Sequence, residues 1–182
     1  MNTLTNYKGV IANISSEADL GDILHSWGLP IPQPTLVLVG GAGGMTELLI
    51  EQTMAFFRDY VAPFVMEKRL AVVDGGTDSG IMRAIGQARA HHQANFPLIG
   101  VAVQKIIEAN PEYIEPNHSH LLLVPGEAWG DEVELLSQTA AALSHGAPSL
   151  TLMFNGGQIA WRDAEASISH KRMVLVAEGS GR

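Results

Sequence analysis

The sequence predicts an α/β protein, a Rossmann-like three-layer sandwich whose mostly parallel sheet has about six or seven strands. Three observations carry this. Short apolar runs alternate with longer amphipathic stretches, the pattern of repeated β–α units. Hydrophobic residues make up 46% of the chain and charged residues 16%, a balance that suits a sheet covered on both faces. Glycine clusters recur where the apolar runs end, and in open α/β sheets ligands bind at that edge.

Each element follows in order. Residues 8–14 read as a short edge strand. Residues 16–27 read as a helix with Ser15 or Ser16 as N-cap and Leu20, Ile23, Leu24 and Trp27 at helical spacing. The proline-rich run 29–34 cannot continue a helix. It suggests an N-terminal appendage over 1–34 and a main domain over 35–182. There, 35–41 is a buried strand and 45–66 a long helix with Leu48, Leu49, Met54, Phe57 and Val61 on its apolar side. A second strand (69–76) and helix (79–92) follow, then a strand over 97–103. Pro111 and Pro116 interrupt any helix across 104–117. The strand 120–125, helix 131–145, strand 149–157, helix 158–170 and strand 172–181 complete the series. A β–α series ordinarily continues into a helix at that point, so the chain either ends on a strand or is part of a longer protein.

The length, 182 residues, suits one well-cored domain. There is no cysteine, so neither a disulfide nor a zinc–thiolate site is available. No apolar run reaches the ~20 residues of a membrane span, and the N-terminus lacks the layout of a signal peptide. Cytoplasmic location is the expectation. A net charge of −8 with scattered basic residues argues against direct nucleic-acid binding. A small anionic ligand is compatible, because backbone N–H groups bind phosphate without Lys or Arg.

Four glycine clusters fall at predicted strand ends: Gly40-Gly41-Ala42-Gly43-Gly44, Gly75-Gly76-Thr77-Asp78-Ser79-Gly80, Asn155-Gly156-Gly157 and Gly179-Ser180-Gly181. Glycine there lets a phosphate approach the chain, and the following helix offers free N–H groups. No Gly-Lys-Ser/Thr follows Gly40, so the first cluster is not a Walker loop, and Thr46 breaks a Gly-x-Gly-x-x-Gly reading. Asp74 closes the second strand but runs directly into Gly75-Gly76, which fits an ordinary NAD dehydrogenase poorly.

Five segments are shared in order with one superfamily. They are Val39-Gly40-Gly41-Ala42, Asp74 to Met82 with Gly86 beyond it, Glu115-Pro116-Asn117-His118-Ser119-His120, Asn155-Gly156-Gly157 and Glu178-Gly179-Ser180-Gly181-Arg182. Over 35–182 the chain resembles the SLOG superfamily, which includes the LOG phosphoribohydrolases, the DprA/Smf proteins and the N-terminal domains of melastatin-type TRP channels. It is most similar to the prokaryotic branch of the TRPM-type domains (LSDAT). The resemblance implies a Rossmann-like fold with a pocket for an ADP-ribose, NAD or AMP-like ligand and no required cofactor. It places the ligand on the four clusters, with Thr77 and Ser79 at a helix mouth and Met82, Asn117 and His118 nearby. By position, Trp161 near a helix start is a candidate equally for stacking on a base and for the core, and Arg182 is a candidate for a pyrophosphate contact.

The LOG enzymes use a P-G-G-x-G-T-x-x-E motif. Here the region reads Asn155-Gly156-Gly157-Gln158-Ile159-Ala160-Trp161-Arg162-Asp163-Ala164-Glu165, which keeps only the paired glycines and offers Glu165 as the catalytic candidate. Three readings follow. The first is a ligand sensor that reports to an effector domain or protein. The second is a hydrolase of a nucleotide N-glycosidic bond using Glu165. The third is an assembly module, with the proline-rich connector and helix 45–66 as surfaces; a homo-oligomer is expected. His118 and His120 share a strand face, but no third metal ligand accompanies them by spacing, and no metal is assigned.

Overall fold

The computed structural model describes residues 7–15, 19–41, 43 and 45–181. One sheet holds seven strands in the order β1-β5-β4-β3-β2-β6-β7, and every pairing is parallel. The strands are β1 (Val10–Asn13), β2 (Thr35–Val39), β3 (Ala71–Asp74), β4 (Leu98–Val103), β5 (His120–Val124), β6 (Ser149–Met153) and β7 (Met173–Val176). The inner strands β2, β3 and β4 are buried along their whole length, which explains their unbroken apolar runs.

Side-chain alternation divides the core between two faces. Val37 and Val39 of β2 and Val101 and Val103 of β4 join one cluster with Leu136, Ala140 and Leu143 of α6 (Val133–Ser144) and Ala160 and Ala164 of α7 (Gln158–Ser169). Leu36 and Leu38 point the other way, to Phe57, Val61 and Val65 and to Ile81, Ile85 and Ala88 of α4 (Gly80–His91). The three-layer sandwich is thus built. No helix of the described residues is long and apolar enough to cross a membrane.

Several elements differ from the sequence expectation. The N-terminal segment contributes to the same sheet and core: β1 pairs with β5 from Val10↔His120 onward, and Leu20 and Leu24 of α1 (Leu20–Ser26) are buried in the first cluster. The N-cap of α1 is Asp19. Ser15 instead donates to the Asp19 carboxylate at 2.6 Å, and Ser16 lies outside the described residues. The helix read as 45–66 is α2 (Glu47–Phe56), a π turn over Phe57–Val61 and α3 (Ala62–Lys68). The wide turn comes just ahead of Pro63, whose ring and missing N–H an unbroken α-helix does not accommodate. Residues 104–117 hold a short helix after all, α5 (Gln104–Ala109), which ends before Pro111 begins a 3₁₀ turn at Pro111–Tyr113. β6 and β7 stop earlier than expected, so Asn155 to Gly157 and Ala177 to Gly181 are loops rather than strand ends.

Candidate functional site

The strand order reverses beside β2: β3 lies on one side of it and β6 on the other. This is the switch point of an open α/β sheet, where the loops leaving neighbouring strands part and leave a crevice. A cleft of about 1080 Å³ occupies that place. Its walls include Gly40 and Gly41 after β2, Gly75, Thr77 and Ser79 after β3, and Gly156 and Gly157 after β6. Met82 of α4 also lines it.

Two helices start at the cleft. α4 begins after Ser79 and α7 after Gly157, and neither N-cap makes a side-chain capping bond. Thr77 and Ser79 place their hydroxyls 3.2 Å from one another instead. The first-turn N–H groups of both helices therefore keep their capacity to bind an anion. Arg83 is the cation on the wall; it donates to the Asp78 carboxylate at 2.8 Å and to the Asp78 carbonyl.

Other sequence candidates build the site from behind. Gly76, at φ 65°, packs backbone to backbone on β4: a Cβ there would lie 2.9 Å from Gly100 Cα. Gly80 is the first residue of α4. Asn155 is buried and ties three loops together: its Nδ2 donates to the carbonyls of Gly41 (2.7 Å) and Gly43 (3.0 Å). Its N–H donates to Ser180 Oγ at 2.9 Å. Gly179 to Gly181 fold back to permit this latch, with Gly181 packed on the Asn155 side chain. Ala42, Gly44 and Arg182 lie outside the described residues.

His118 faces the interior, below the Gly75-Gly76 turn. Its Nε2 lies 2.8 Å from Asp74 Oδ1 and its Nδ1 2.8 Å from Glu115 Oε2, with all three side chains enclosed. Asp74 Oδ1 also accepts the Gly76 N–H at 2.7 Å. Asn117 donates to Glu115 through its backbone (2.8 Å) and side-chain amide (2.5 Å). Burial alone would lower the His118 pKa, but the charges and hydrogen bonds of Asp74 and Glu115 prevail and raise it to about 9. Both ring nitrogens thus carry protons at neutral pH. His120 points away from this cluster, against the Trp27 ring at 4.8 Å between centroids.

Trp161 does not line the cleft. Its ring is largely exposed, and its Nε1 donates to Glu165 Oε1 at 3.1 Å on the outer side of α7. Glu165 is exposed there as well. The inner side of α7 presents Asp163 to the cleft instead. Asp163 is 9% exposed, and among the described residues its carboxylate has no hydrogen-bonding or ionic partner. Glu132, at the start of α6, lines the cleft beside it and accepts the Gly130 N–H at 2.8 Å. Burial, aided by the charge of Glu132, raises the Asp163 pKa to about 7, and burial raises that of Glu132 as well.

Sequence reading missed this carboxylate pair, although a signal was present. Counted in register from Asn155, the last position of P-G-G-x-G-T-x-x-E falls on Asp163, not Glu165. It also missed Tyr113 and Trp129, whose half-exposed rings line the cleft with centroids 6.3 Å apart. Those two come from the 3₁₀ turn and the loop before α6, where no periodic pattern marks a residue's direction.

Comparison with known proteins gives a family and a fold. A family model described as SLOG in TRPM, prokaryote, matches residues 33–182. A Nematostella vectensis protein, transient receptor potential cation channel subfamily M member-like 2, is 25% identical over 205 aligned positions. That alignment takes in 88% of this chain and 13% of the other, so the chain spans a small part of the curated relative's length. The X-ray structure of TM1055, a structural genomics target, is similar in fold, with a TM-score of 0.56 at 16% identity. The match covers 81% of this chain and 76% of that one.

Proposed function

The chain belongs to the family described as SLOG in TRPM, prokaryote, and from that premise we propose that it binds a nucleotide-derived ligand such as ADP-ribose, NAD or AMP. The observation that carries this reading is the pair of helices, α4 and α7, whose uncapped first turns open on one switch-point cleft. A phosphate fits there, against N–H groups of positive potential and the hydroxyls of Thr77 and Ser79. Tyr113 and Trp129, which line the same cleft, offer flat apolar surface for a base. The bound state is then read by an effector domain or protein, in keeping with a relative that carries the matching segment within a far longer channel chain.

Isothermal titration with AMP, NAD and ADP-ribose tests the proposal. Saturable binding of at least one is expected, weakened about tenfold or more by Thr77→Val with Ser79→Ala, the worth of one or two hydrogen bonds to a charged group. No binding of any of them at millimolar concentration overturns it.

One observation favours a second reading, turnover. Asp163 is an acid that holds its proton near neutral pH inside the cleft, as a general acid requires. With AMP, water adds to the sugar's anomeric carbon as the C–N bond breaks toward the base, adenine leaves with a proton from Asp163, and the proton that the water sheds returns to the Asp163 carboxylate. Chromatography of AMP and NAD after incubation decides: free adenine from AMP with wild type and none with Asp163→Asn is expected, and the absence of free base from either nucleotide with wild type ends this reading.

A further inference from the structure

We propose that Asp163 and Glu132 form a sugar subsite that accepts hydrogen bonds from the vicinal hydroxyls of a ribose and so makes the cleft selective for ribo- over deoxyribonucleotides. The proposal rests on the nucleotide reading above and names the part of the ligand that these two residues recognise.

The cleft is electrically divided. Its phosphate-seeking end is made of the first turns of α4 and α7. Asp163 lies six residues past Gly157, about 9 Å along α7 at 1.5 Å per residue, where a second phosphate would meet two carboxylates. Asp163 is nine-tenths buried and no described protein group donates a hydrogen bond to its carboxyl, so its oxygens face the cleft, where water or a ligand must donate to them. The groups around the pair do not meet that need. Glu132 repels Asp163, Asp131 repels Glu132, and Arg162 acts on both only through its charge. Glu132 already holds the Gly130 N–H with one oxygen. Two adjacent acceptors match two adjacent hydroxyl donors.

The test is isothermal titration in EDTA of AMP, 2′-deoxy-AMP, 3′-deoxy-AMP and IMP, on wild type, Asp163→Asn and Asp163→Ala, with thermal melts to confirm folding. Wild type is expected to bind AMP about tenfold or more tightly than either deoxynucleotide and to bind IMP like AMP. Asp163→Ala should bring all four within about twofold of one another. Equal binding of AMP and the deoxynucleotides by wild type overturns the proposal, as does discrimination that survives in Asp163→Ala. A preference that follows the amine of AMP over IMP, or binding that appears only when magnesium replaces EDTA, also overturns it. In each of these cases nucleotides still bind. A wild type that binds none of them removes the nucleotide reading and this one with it.

Discussion

The His118 imidazole lies 2.8 Å from the Asp74 carboxylate, both side chains fully enclosed, although the residues are 44 positions apart. With Glu115 on the other ring nitrogen, this contact fastens the 113–118 segment to the loop after β3. The Glu115 N–H donates to the Gly76 carbonyl (3.0 Å) and the Asp78 N–H to that of Tyr113 (2.7 Å). Removing the imidazole leaves two buried carboxylates without their cation. His118→Gln should therefore cost about 3–5 kcal/mol, read by urea unfolding at neutral pH.

The same contact sets a pH dependence. The His118 pKa rises on folding from 6.5 to about 9, so the folded state holds the proton more tightly and its contribution is complete below pH 6.5. Stability should fall as pH rises through 9, by roughly 3 kcal/mol in all. Wild type should lose this amount between pH 6 and pH 10 in urea titrations. His118→Gln should show a flatter profile over that range.

Glycines on the cleft wall do different work, and alanine separates them. A Cβ on Gly40 would collide with the Phe154 carbonyl, which is part of the backbone and cannot move cheaply. A Cβ on Gly75 meets nothing within 4 Å, yet Gly75 lines the cleft. Gly40→Ala should destabilise the fold by several kcal/mol, on the order of 2–4. Gly75→Ala should melt within about 0.5 kcal/mol of wild type but bind nucleotide more weakly, as titration of both variants would show.

Much of this was legible in the sequence because buried parallel strands announce themselves. The runs at 36–39 and 98–103 hold no polar residue, and Gly40 after β2 and Gly76 after β3 mark backbone that passes close to other backbone. What escaped depended on direction or on long-range packing. Trp161 and Asp163 are two residues apart on one helix, about 200° around its axis at 3.6 residues per turn. Only the packing of α7 on the sheet decides that the carboxylate turns inward and the indole outward. His118 read as a pocket residue because its motif sits at a strand start. It is instead a buried cation, since Asp74 meets it from a strand two places away in the sheet.

Asp163 should be a position where function costs stability. Its carboxyl holds a proton up to about pH 7 in the folded state against an ordinary 3.8. The folded protein thus binds more protons than the unfolded chain between those values, and stability falls as pH rises from 4 to 7. Asp163→Asn removes the penalty, and should stabilise the protein at pH 7.5 by up to about 4 kcal/mol while leaving it unchanged near pH 3.5. Paired urea titrations at the two pH values check it. Equal stability of variant and wild type at pH 7.5 would show that the carboxyl ionises without cost.

The lining of the cleft predicts a difference between tryptophans. Trp129 stands beside Tyr113 on the wall, whereas Trp161 points outward to Glu165 and Trp27 packs on His120. A base that stacks on the wall alters the emission of Trp129 alone. Nucleotide should quench fluorescence in wild type and in Trp161→Phe to the same extent, with unchanged affinity, and should fail to do so in Trp129→Phe. Trp129→Ala should weaken binding about tenfold, since one base–aromatic stack is worth ~1–3 kcal/mol. Quenching that disappears with Trp161 rather than Trp129 would move the base to the outer face of α7 and detach it from the cleft.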